Sequence, residues 1–414
     1  MQYHRLVPPD SFLGHYMIYM QTQETATAFD FWSGLWCISS ACARATYVAR
    51  PRAPIYLNLF VVLVGESGVA RKTTSVAMST RCVRRLLGAH HVGHIDSKVT
   101  PERLDQLLME RTQEYGTAQI CITCPELAVF MGTESYVAHM PIMLTDLYDC
   151  PDTRIGGGTV SRGSILQEHV WVNLLSASTP TWLLKTVNPN VIEGGFTSRC
   201  YFIISNEPKR LIPWPEDPDP DLFKDLQDDL HIIANEVRTR GPIHVTDTAM
   251  ERFRQWYATR ERSIDPFKQS FEAREDAHVL RVAALLCIND GSFAIKRGHV
   301  NIAIRLISEV KVQSGAIFET GEVRSKFAAG LDVLRSQLIS AGMDPVLRSQ
   351  LYNKVRYHVS YQEFLTLLEV LHEIRAIQRF EVRTGERGRP AEWVRGTKLL
   401  LARGLGESVL ERLA

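Results

Sequence analysis

The sequence predicts an α/β protein with a parallel sheet, followed by helical segments, and three observations lead to this prediction. Over residues 1–212, apolar strand-like runs alternate with helical patterns, which is typical of a parallel sheet with helices on its faces. Residues 213–221 contain four prolines, which remove backbone donors and disfavour helix, so this stretch predicts a linker. Beyond the linker, apolar residues recur almost entirely at helical spacing.

Each element is predicted from its local pattern. Residues 57–64 form an apolar run that predicts a buried strand, and residues 73–87 follow as a helix. Further apolar, β-prone runs lie at 120–123, 170–175 and 200–204. After the linker, helical periodicity covers 222–238, 249–260, 267–286 and 299–312.

The C-terminal part of the chain predicts a third segment. Three helical patterns, near residues 327–341, 345–356 and 360–374, precede two β-prone runs at 377–382 and 391–395. This order is that of a winged helix-turn-helix, although a plain α/β packing module has the same order. The predicted domains are 1–212, with an N-terminal helical segment to about residue 50, then 213–325 as linker and helical domain, and 326–414 as winged helix-turn-helix.

Composition narrows the class of protein. Hydrophobic residues make up 45% of the 414 residues, which argues against a disordered chain. The net charge is +1, so any nucleic-acid surface requires a local charge asymmetry. The first ten residues lack the apolar region of a signal peptide, and no apolar run approaches the roughly 20 residues that span a bilayer. Eight scattered cysteines do not form a disulfide scaffold, so we expect a cytoplasmic protein without a membrane segment.

The most informative stretch follows the strand predicted at 57–64. It contains two glycines and ends in Lys-Thr at the start of a helix, and its members are Gly65, Glu66, Ser67, Gly68, Val69, Ala70, Arg71, Lys72, Thr73 and Thr74. Such a loop wraps backbone N–H groups around phosphates, its lysine reaches the β- and γ-phosphates of ATP, and the next hydroxyl binds Mg²⁺.

The pattern of this loop is irregular. Six residues separate Gly65 from Lys72, where the P-loop pattern has five, and Arg71 stands where glycine normally precedes the lysine. An ordinary strand-to-helix turn with a chance Lys-Thr pair is the alternative.

Glu126 is the candidate for the base that polarises the attacking water, because it follows the apolar run at 120–123. Pro125 occupies the position of the aspartate that usually precedes this acid and assists Mg²⁺. Thr73 is therefore expected to hold the metal with waters, or with help from Asp146 or Asp149. A structural role for Glu126 is the alternative.

Together these motifs resemble a family of P-loop ATPase domains found in phages, plasmids and prophages, which are similar to AAA+ proteins of the MCM and superfamily 3 helicase kind. The resemblance covers roughly residues 25–310 and rests on the order of degenerate motifs at 58–73, 174–180, 194–202, 278–286 and 300–304. It implies an AAA+-like P-loop NTPase with a parallel sheet and a helical lid, using ATP and Mg²⁺. The missing aspartate puts efficient hydrolysis in doubt.

The resemblance also implies roles for single residues. Ser178, with Thr179 as the neighbouring option, matches sensor 1, which orients the lytic water. Arg199 matches the arginine finger that reaches the nucleotide of a neighbouring subunit. Arg281 matches sensor 2, although an arginine extending from an amphipathic helix is nearly as good an interpretation.

Two basic segments are candidates for DNA contact. Between residues 347 and 398, ten Lys and Arg face six Glu and no Asp, and Arg383, Arg387 and Arg389 cluster at the turn of the predicted wing. Three consecutive glycines, 156–158, flanked by Arg154 and Arg162, predict a hairpin that the resemblance places in a central pore. Solvated surface arginines are the alternative in both segments.

The sequence thus predicts an ATP-dependent DNA helicase or translocase for replication of a mobile element in a bacterial host. It would act as a homo-oligomeric ring, as a hexamer by resemblance, on single-stranded or forked DNA, with a separate primase or polymerase. One alternative is a replication initiator or helicase loader that uses ATP as an assembly switch. Another is a winged-helix DNA-binding protein whose phosphate loop is inactive.

Overall fold

The computed structural model describes residues 2–51, 53–131, 139–156, 165–186, 195–214, 219–260, 263, 266–323, 326–356, 359–373, 375–382 and 391–397. The chain forms two compact units, Met1–Ile317 and Phe318–Ala414. The five-stranded sheet and the helices between residues 220 and 289 belong to the first of these units. Among the described residues, no helix has the length and apolar character needed to cross a membrane.

The first unit contains a five-stranded parallel sheet and shorter strand pairs. Its strands are β1 (Tyr47–Val48), β2 (Ile55–Tyr56), β3 (Phe60–Val64), β4 (Gly93–Ile95), β5 (Gln119–Cys124), β6 (Thr153–Gly156), β7 (Ile165–Glu168), β8 (Trp171–Ser178), β9 (Cys200–Ile204), β10 (His244–Val245) and β11 (Ala294–Ile295). Five of them form a sheet in the order β4-β5-β8-β3-β9, and all four neighbouring pairs are parallel. The predicted α/β class with a parallel sheet is therefore confirmed.

Helices cover the sheet and extend beyond it. They are α1 (Phe12–Tyr19), α2 (Thr27–Cys42), α3 (Lys72–Ala89), α4 (Pro101–Tyr115), α5 (Leu127–Met131), α6 (His139–Tyr148), α7 (Pro180–Thr186), α8 (Pro220–Arg240), α9 (Asp247–Thr259), α10 (Pro266–Glu272), α11 (Glu275–Asn289) and α12 (Arg297–Val323). Local signals set several ends: Thr100 caps α4, Pro101 occupies its first turn, and Gly116 ends it with φ +69°.

The core of the first unit explains why the strands are apolar on both faces. All five residues of β3 and all eight of β8 are buried, as expected for strands in the middle of a parallel sheet. On α2, four large aromatic side chains are buried against this core: Phe29, Phe31, Trp32 and Trp36. The N-terminal helices α1 and α2 pack on α3 and α8, so they belong to the same core as the sheet.

A short pair of antiparallel strands lies between α6 and β8 in the chain. In this pair, β6 and β7 place Arg154 opposite Gln167 and Ile155 opposite Leu166. The pair lies where the sequence predicts a hairpin, and its connecting residues 157–164 are outside the described part of the chain.

The second unit has its own core. Its elements are α13 (Lys326–Ala341), β12 (Val346–Leu347), α14 (Arg348–Val355), α15 (Tyr361–Glu373), β13 (Ile377–Val382) and β14 (Ala391–Gly396). The strands form an antiparallel sheet in the order β12-β14-β13. Leu334, Leu351, Phe364, Leu368 and Val394 are among the side chains buried between this sheet and the three helices.

Candidate functional site

The loop at residues 65–71 joins β3 to α3 at the edge of the sheet where the parallel strands end. The register places Val64 opposite Ser178 on β8 and opposite Ile204 on β9. The N–H of Gly65 donates to the carbonyl of Ser178 over 3.3 Å. Ligands of open α/β sheets bind outside the carboxyl ends of the strands, so this edge is the first place to look for a site.

The two glycines of the loop meet different constraints. A Cβ on Gly65 would lie 2.4 Å from the carbonyl oxygen of Ser205, so no larger residue fits without moving the backbone. Gly68 has open space around it but adopts φ +77°, a conformation that other residues adopt at a cost. The close approach at Gly65 presses the loop against the segment that follows β9.

Arg71 has the backbone conformation that glycine usually provides. Its φ of 47° and ψ of 42° are left-handed, and it is the residue before the first turn of α3. Its guanidinium donates from Nε to Oε2 of Glu24 over 3.0 Å. The same carboxylate accepts from the backbone N–H of Ile212 through Oε1, so Glu24 ties the loop to the segment before the linker.

Lys72 is the first residue of α3, which is 18 residues long and has no side-chain cap at its start. The free N–H groups of such a helix start carry partial positive charge. The Lys72 side chain is buried, and its Nζ donates to the carbonyls of Gly65 over 2.7 Å and Glu66 over 2.9 Å. Burial lowers the pKa of this ammonium, while the carboxylates of Glu66 and Glu126 partly raise it.

A cleft of about 190 Å³ opens beside this ammonium. The loop, the end of β8 and the residues after β5 line it together: Ser67, Gly68, Arg71, Lys72, Thr73, Pro125, Glu126, Ala177, Ser178 and Thr179. The structure thus brings together the predicted Lys72, Thr73, Glu126 and Ser178 from three separate parts of the chain. Of the other predicted loop residues, Val69 is exposed and Ala70 is buried, and neither lines the cleft.

Glu126 is exposed at the start of α5, where its carbonyl accepts from the N–H of Val129 over 3.1 Å. It is the one carboxylate among the described residues that line the cleft. The cleft thus combines a carboxylate, an ammonium at a helix start, and the hydroxyls of Thr73 on α3 and Ser178 at the end of β8, a set that can bind a phosphate chain and activate a water.

Arg199 lies at the opposite edge of the sheet. It directly precedes β9, whose first residue, Cys200, is opposite Phe60 at the start of β3. At ~3.3 Å per residue, about 16 Å of strand separate it from the loop. Its guanidinium is buried and donates to Asp149 over 2.8 Å and to the carbonyl of Gly195 over 2.9 Å. A role for Arg199 in hydrolysis therefore requires the nucleotide of another copy.

Arg281 also lies away from the cleft of its own chain. On α11, it donates from Nε to the carbonyl of Tyr56, which precedes β3, and from Nη1 to the Tyr148 hydroxyl, over 2.8 and 2.6 Å. Its guanidinium carbon is 4.7 Å from the centre of the Tyr148 ring. The amphipathic-helix interpretation does not describe it, because the side chain is buried rather than solvated.

Asp146 and Asp149 do not line the cleft; both are bound to arginines. Asp149 contacts Arg199 and Arg274, and Asp146 contacts Arg154. Arg154 also contacts Asp105 and donates to Oε1 of Gln167 over 2.8 Å, with 14% of its side chain exposed. The guanidinium of Arg154, which the sequence assigns to DNA phosphates, is thus engaged within the chain. Arg162, Arg383, Arg387 and Arg389 lie outside the described residues.

The sequence interpretation missed Glu24 and Ser205, which hold the loop in place. Neither has a local pattern that marks it, because each acts through a contact between segments far apart in the chain. Asp149, whose side chain is exposed, is predicted from the sequence only as a metal ligand, and its two arginine partners are distant in sequence. Comparison with protein-family models and with curated proteins found no match for this chain.

Proposed function

We propose that the first unit binds ATP in the cleft beside the 65–71 loop and hydrolyses it. The observation that carries the proposal is the position of Lys72. It is a buried ammonium at the uncapped start of an 18-residue helix, and it faces a cleft that also contains Glu126 and Ser178. The parallel five-stranded sheet is compatible with a P-loop-like α/β fold.

The donor set of the cleft suits a phosphate chain. The Lys72 ammonium now bonds to two loop carbonyls, and phosphate oxygens are stronger acceptors for the same donors. The backbone at the start of α3 adds further N–H donors. Bound Mg²⁺ would neutralise phosphate charge, and the Thr73 hydroxyl would hold it together with phosphate and water oxygens, as Mg²⁺ sites often do.

Each remaining residue has a role that its position supports. Glu126, exposed on the wall opposite Lys72, accepts the proton of the attacking water. Ser178, whose backbone is bonded to Gly65, orients that water from the end of β8. Arg199 can assist hydrolysis only at the nucleotide of a second copy of the chain, so we also propose that the active form is a homo-oligomer.

We further propose that the second unit is a winged helix-turn-helix. The alternation of α13, β12, α14, α15, β13 and β14, with a three-stranded antiparallel sheet, supports it. The third helix, α15, contains three glutamates and no lysine or arginine, which makes it a poor match for DNA phosphates. The basic segment between β13 and β14 is therefore the better candidate for DNA contact.

DNA remains the predicted partner, with helicase activity as the leading role and an initiator or loader as the alternative. Strand displacement from a forked duplex discriminates between them, because a loader has no unwinding activity of its own. An ATP-independent DNA-binding protein, the third possibility, would show no turnover in either assay.

The test of the proposal is the Lys72→Ala variant. Removing the ammonium should lower ATP hydrolysis by about 10²-fold or more, as expected for loss of a group that stabilises developing phosphate charge. Steady-state ATPase assays with and without DNA measure the effect, and thermal unfolding checks that the variant is folded.

Arg71→Ala is the matched control because Arg71 is the adjacent cation in the same loop. It should retain most of the activity. Turnover by Lys72→Ala at the parental rate would refute the assignment, and selective loss of activity in Arg71→Ala would shift the phosphate contact by one residue.

A further inference from the structure

A second cavity, separate from the cleft, lies at the opposite edge of the sheet. It has a volume of about 280 Å³ and lies among the segment before β3, the end of α6 and the start of α11. Its lining includes Arg50, Arg274, Arg281, Tyr148, Asp149 and His278. All belong to the first unit.

The charges around this cavity do not cancel. Arg50 pairs with Asp276 over 2.8 Å, and Arg274 shares Asp149 with Arg199 over 3.2 and 2.8 Å. With the ion-pair partners Arg199 and Asp276, which do not line the cavity, four arginines are opposed by two aspartates, an excess of two positive charges. His278 adds none near neutral pH, because burial and the charge of Arg281 lower its pKa to about 3.

Arg281 accounts for the excess most directly. It is 5% exposed, and among the described residues no carboxylate forms an ion pair with it. The Tyr56 carbonyl, the Tyr148 hydroxyl and the Tyr148 ring accept its donors but do not neutralise its charge. Buried charges are normally paired, so a guanidinium without a carboxylate partner beside a cavity favours an anionic ligand there.

We infer that this cavity binds the phosphoryl group of a small diffusible molecule, or phosphate itself. Three guanidinium groups from two segments, Arg50 before β2 and Arg274 and Arg281 at α11, suit the several oxygens of a tetrahedral dianion, whose charge matches the local excess. At ~30 Å³ for each water in the liquid, the volume equals roughly nine waters, which is enough for a phosphoryl group and a small organic part. This site does not depend on the proposed ATPase function.

The experiment uses the full chain carrying Lys72→Ala, so that binding at the loop is removed from the signal. Inorganic phosphate is the probe, and sodium chloride at equal ionic strength is the reference. Equilibrium dialysis should give one phosphate per chain, and thermal unfolding should show a higher Tm in phosphate than in chloride.

Arg281→Met, in the same background, should bind phosphate at least roughly tenfold more weakly, as expected when a charged hydrogen-bonding group is lost. In chloride it should be as stable as its parent or more stable, since the substitution removes an unpaired buried charge. Because this variant alters the core, Arg50→Gln is the second test. Its side chain is half-exposed, and it should weaken phosphate binding severalfold while leaving the fold intact.

Arg84→Gln is the matched control, since Arg84, on α3, is an exposed arginine that also pairs with an aspartate. Its phosphate affinity should equal that of the parent. Equal Tm values in phosphate and chloride, or unchanged affinity in both Arg281→Met and Arg50→Gln, would overturn the inference. The inference would also be overturned if phosphate bound only to a nucleotide-bound assembly and not at dilutions where sedimentation shows monomer. That result would assign this edge of the sheet to the nucleotide of another copy.

Discussion

At the residue scale, the left-handed backbone of Arg71 explains how an irregular loop still directs Lys72 into the cleft. A non-glycine residue in this region has its Cβ close to the following carbonyl oxygen, at a cost of about 1 kcal/mol. The bond from Arg71 to Glu24 offsets part of this cost and ties the loop to the segment before α2. The departure from glycine is therefore tolerated through a contact that the loop itself does not contain.

This account predicts the order of two substitutions. Arg71→Gly removes both the ion pair and the backbone cost, whereas Arg71→Ala removes the ion pair and keeps the cost. The free energy of unfolding should therefore be about 1 kcal/mol higher for Arg71→Gly than for Arg71→Ala in urea titrations. Glu24→Gln is the control for loss of the ion pair alone. Equal stabilities of the Gly and Ala variants would contradict a left-handed backbone at this position.

His278 makes stability depend on pH. Its ring is buried; Nδ1 is 2.6 Å from the Tyr201 hydroxyl and Nε2 is 2.9 Å from the Ser198 carbonyl. Burial, with the charge of Arg281, lowers its pKa from 6.5 to about 3. Between these values the unfolded chain binds a proton that the folded chain does not. Stability from this group is therefore present above pH 6.5 and falls as the pH is lowered through the window.

We expect His278→Asn to flatten this dependence. The parental free energy of unfolding should fall more steeply than that of the variant between pH 6.5 and 4.5, by at most about 1.4 kcal/mol per pH unit. Urea titrations at several pH values measure the difference. His244→Asn, at an exposed position, should keep the parental slope. If the His278→Asn slope also equals the parental one, the histidine is not held neutral by the fold.

At the element scale, Arg154, which the sequence predicts to contact DNA, instead holds the β6–β7 pair in place. Arg154 joins this pair to α4 through Asp105 and to α6 through Asp146, and both Asp105 and Gln167 are buried. On the other face, Ile155 and Leu166 remain exposed. Replacing Arg154 and Arg162 together would therefore disturb the hairpin as well as any DNA contact.

Arg154→Ala should destabilise the protein by about 3 kcal/mol, because it removes the cation from a buried ion pair. Arg103→Ala is the matched control on α4, where an exposed arginine pairs with Glu110 over 2.9 Å, and it should cost less than about 1 kcal/mol. Urea titrations of both variants and of Asp105→Asn, singly and combined with Arg154→Ala, measure the coupling. If Arg154→Ala lowers the free energy of unfolding as little as Arg103→Ala does, Arg154 is not held by its ion pairs and is again a candidate for DNA contact.

A second difference at this scale concerns the helix predicted over 267–286. The structure has two helices there, α10 and α11, interrupted at Ala273 and Arg274. The interruption allows Arg274 to reach Asp149. Apolar periodicity continues through the break, so the pattern alone predicts one helix.

At the scale of the whole molecule, the sheet separates two sets of chemical groups. Lys72, Glu126 and Ser178 lie where β3, β5 and β8 end, whereas Arg199 lies where β9 begins. One chain cannot bring the two sets together without unfolding its sheet. We therefore expect Arg199 to assist hydrolysis only in an assembly of copies, where it would have to leave Asp149.

This arrangement predicts complementation between two inactive variants. Arg199→Ala should bind ATP but hydrolyse it about 10³-fold more slowly, and Lys72→Ala should be inactive for its own reason. Mixing them should restore part of the activity, because a mixed interface combines an intact loop with an intact arginine. ATPase assays across mixing ratios, with sedimentation to follow assembly, provide the measurement. Asp149→Asn is the control: it frees Arg199 and should not abolish turnover. Absence of any restored activity in a mixed oligomer would exclude the role for Arg199 in trans.

The sequence by itself predicted the α/β class of the first unit and the strand and helix on either side of the loop at residues 65–71. The apolar run ending at Val64, the Lys-Thr pair after it and the acid after β5 are local patterns, and hydrophobic periodicity is a local consequence of burial. Because parallel strands end at one edge, those patterns were enough to place Lys72 and Glu126 near each other, whereas Ser178 was predicted only from the family resemblance.

Only the tertiary structure decided which charged groups are available to contact a ligand or DNA. Arg71 bonds to Glu24, Arg154 to Asp105 and Arg199 to Asp149 across separations of 47, 49 and 50 residues. An arginine has the same local pattern whether it is solvated, paired or buried, since its partner is selected by chain packing and not by its neighbours in sequence. For the same reason, the unpaired guanidinium of Arg281 beside its cavity became visible only once α11 was packed against the residues that precede β3.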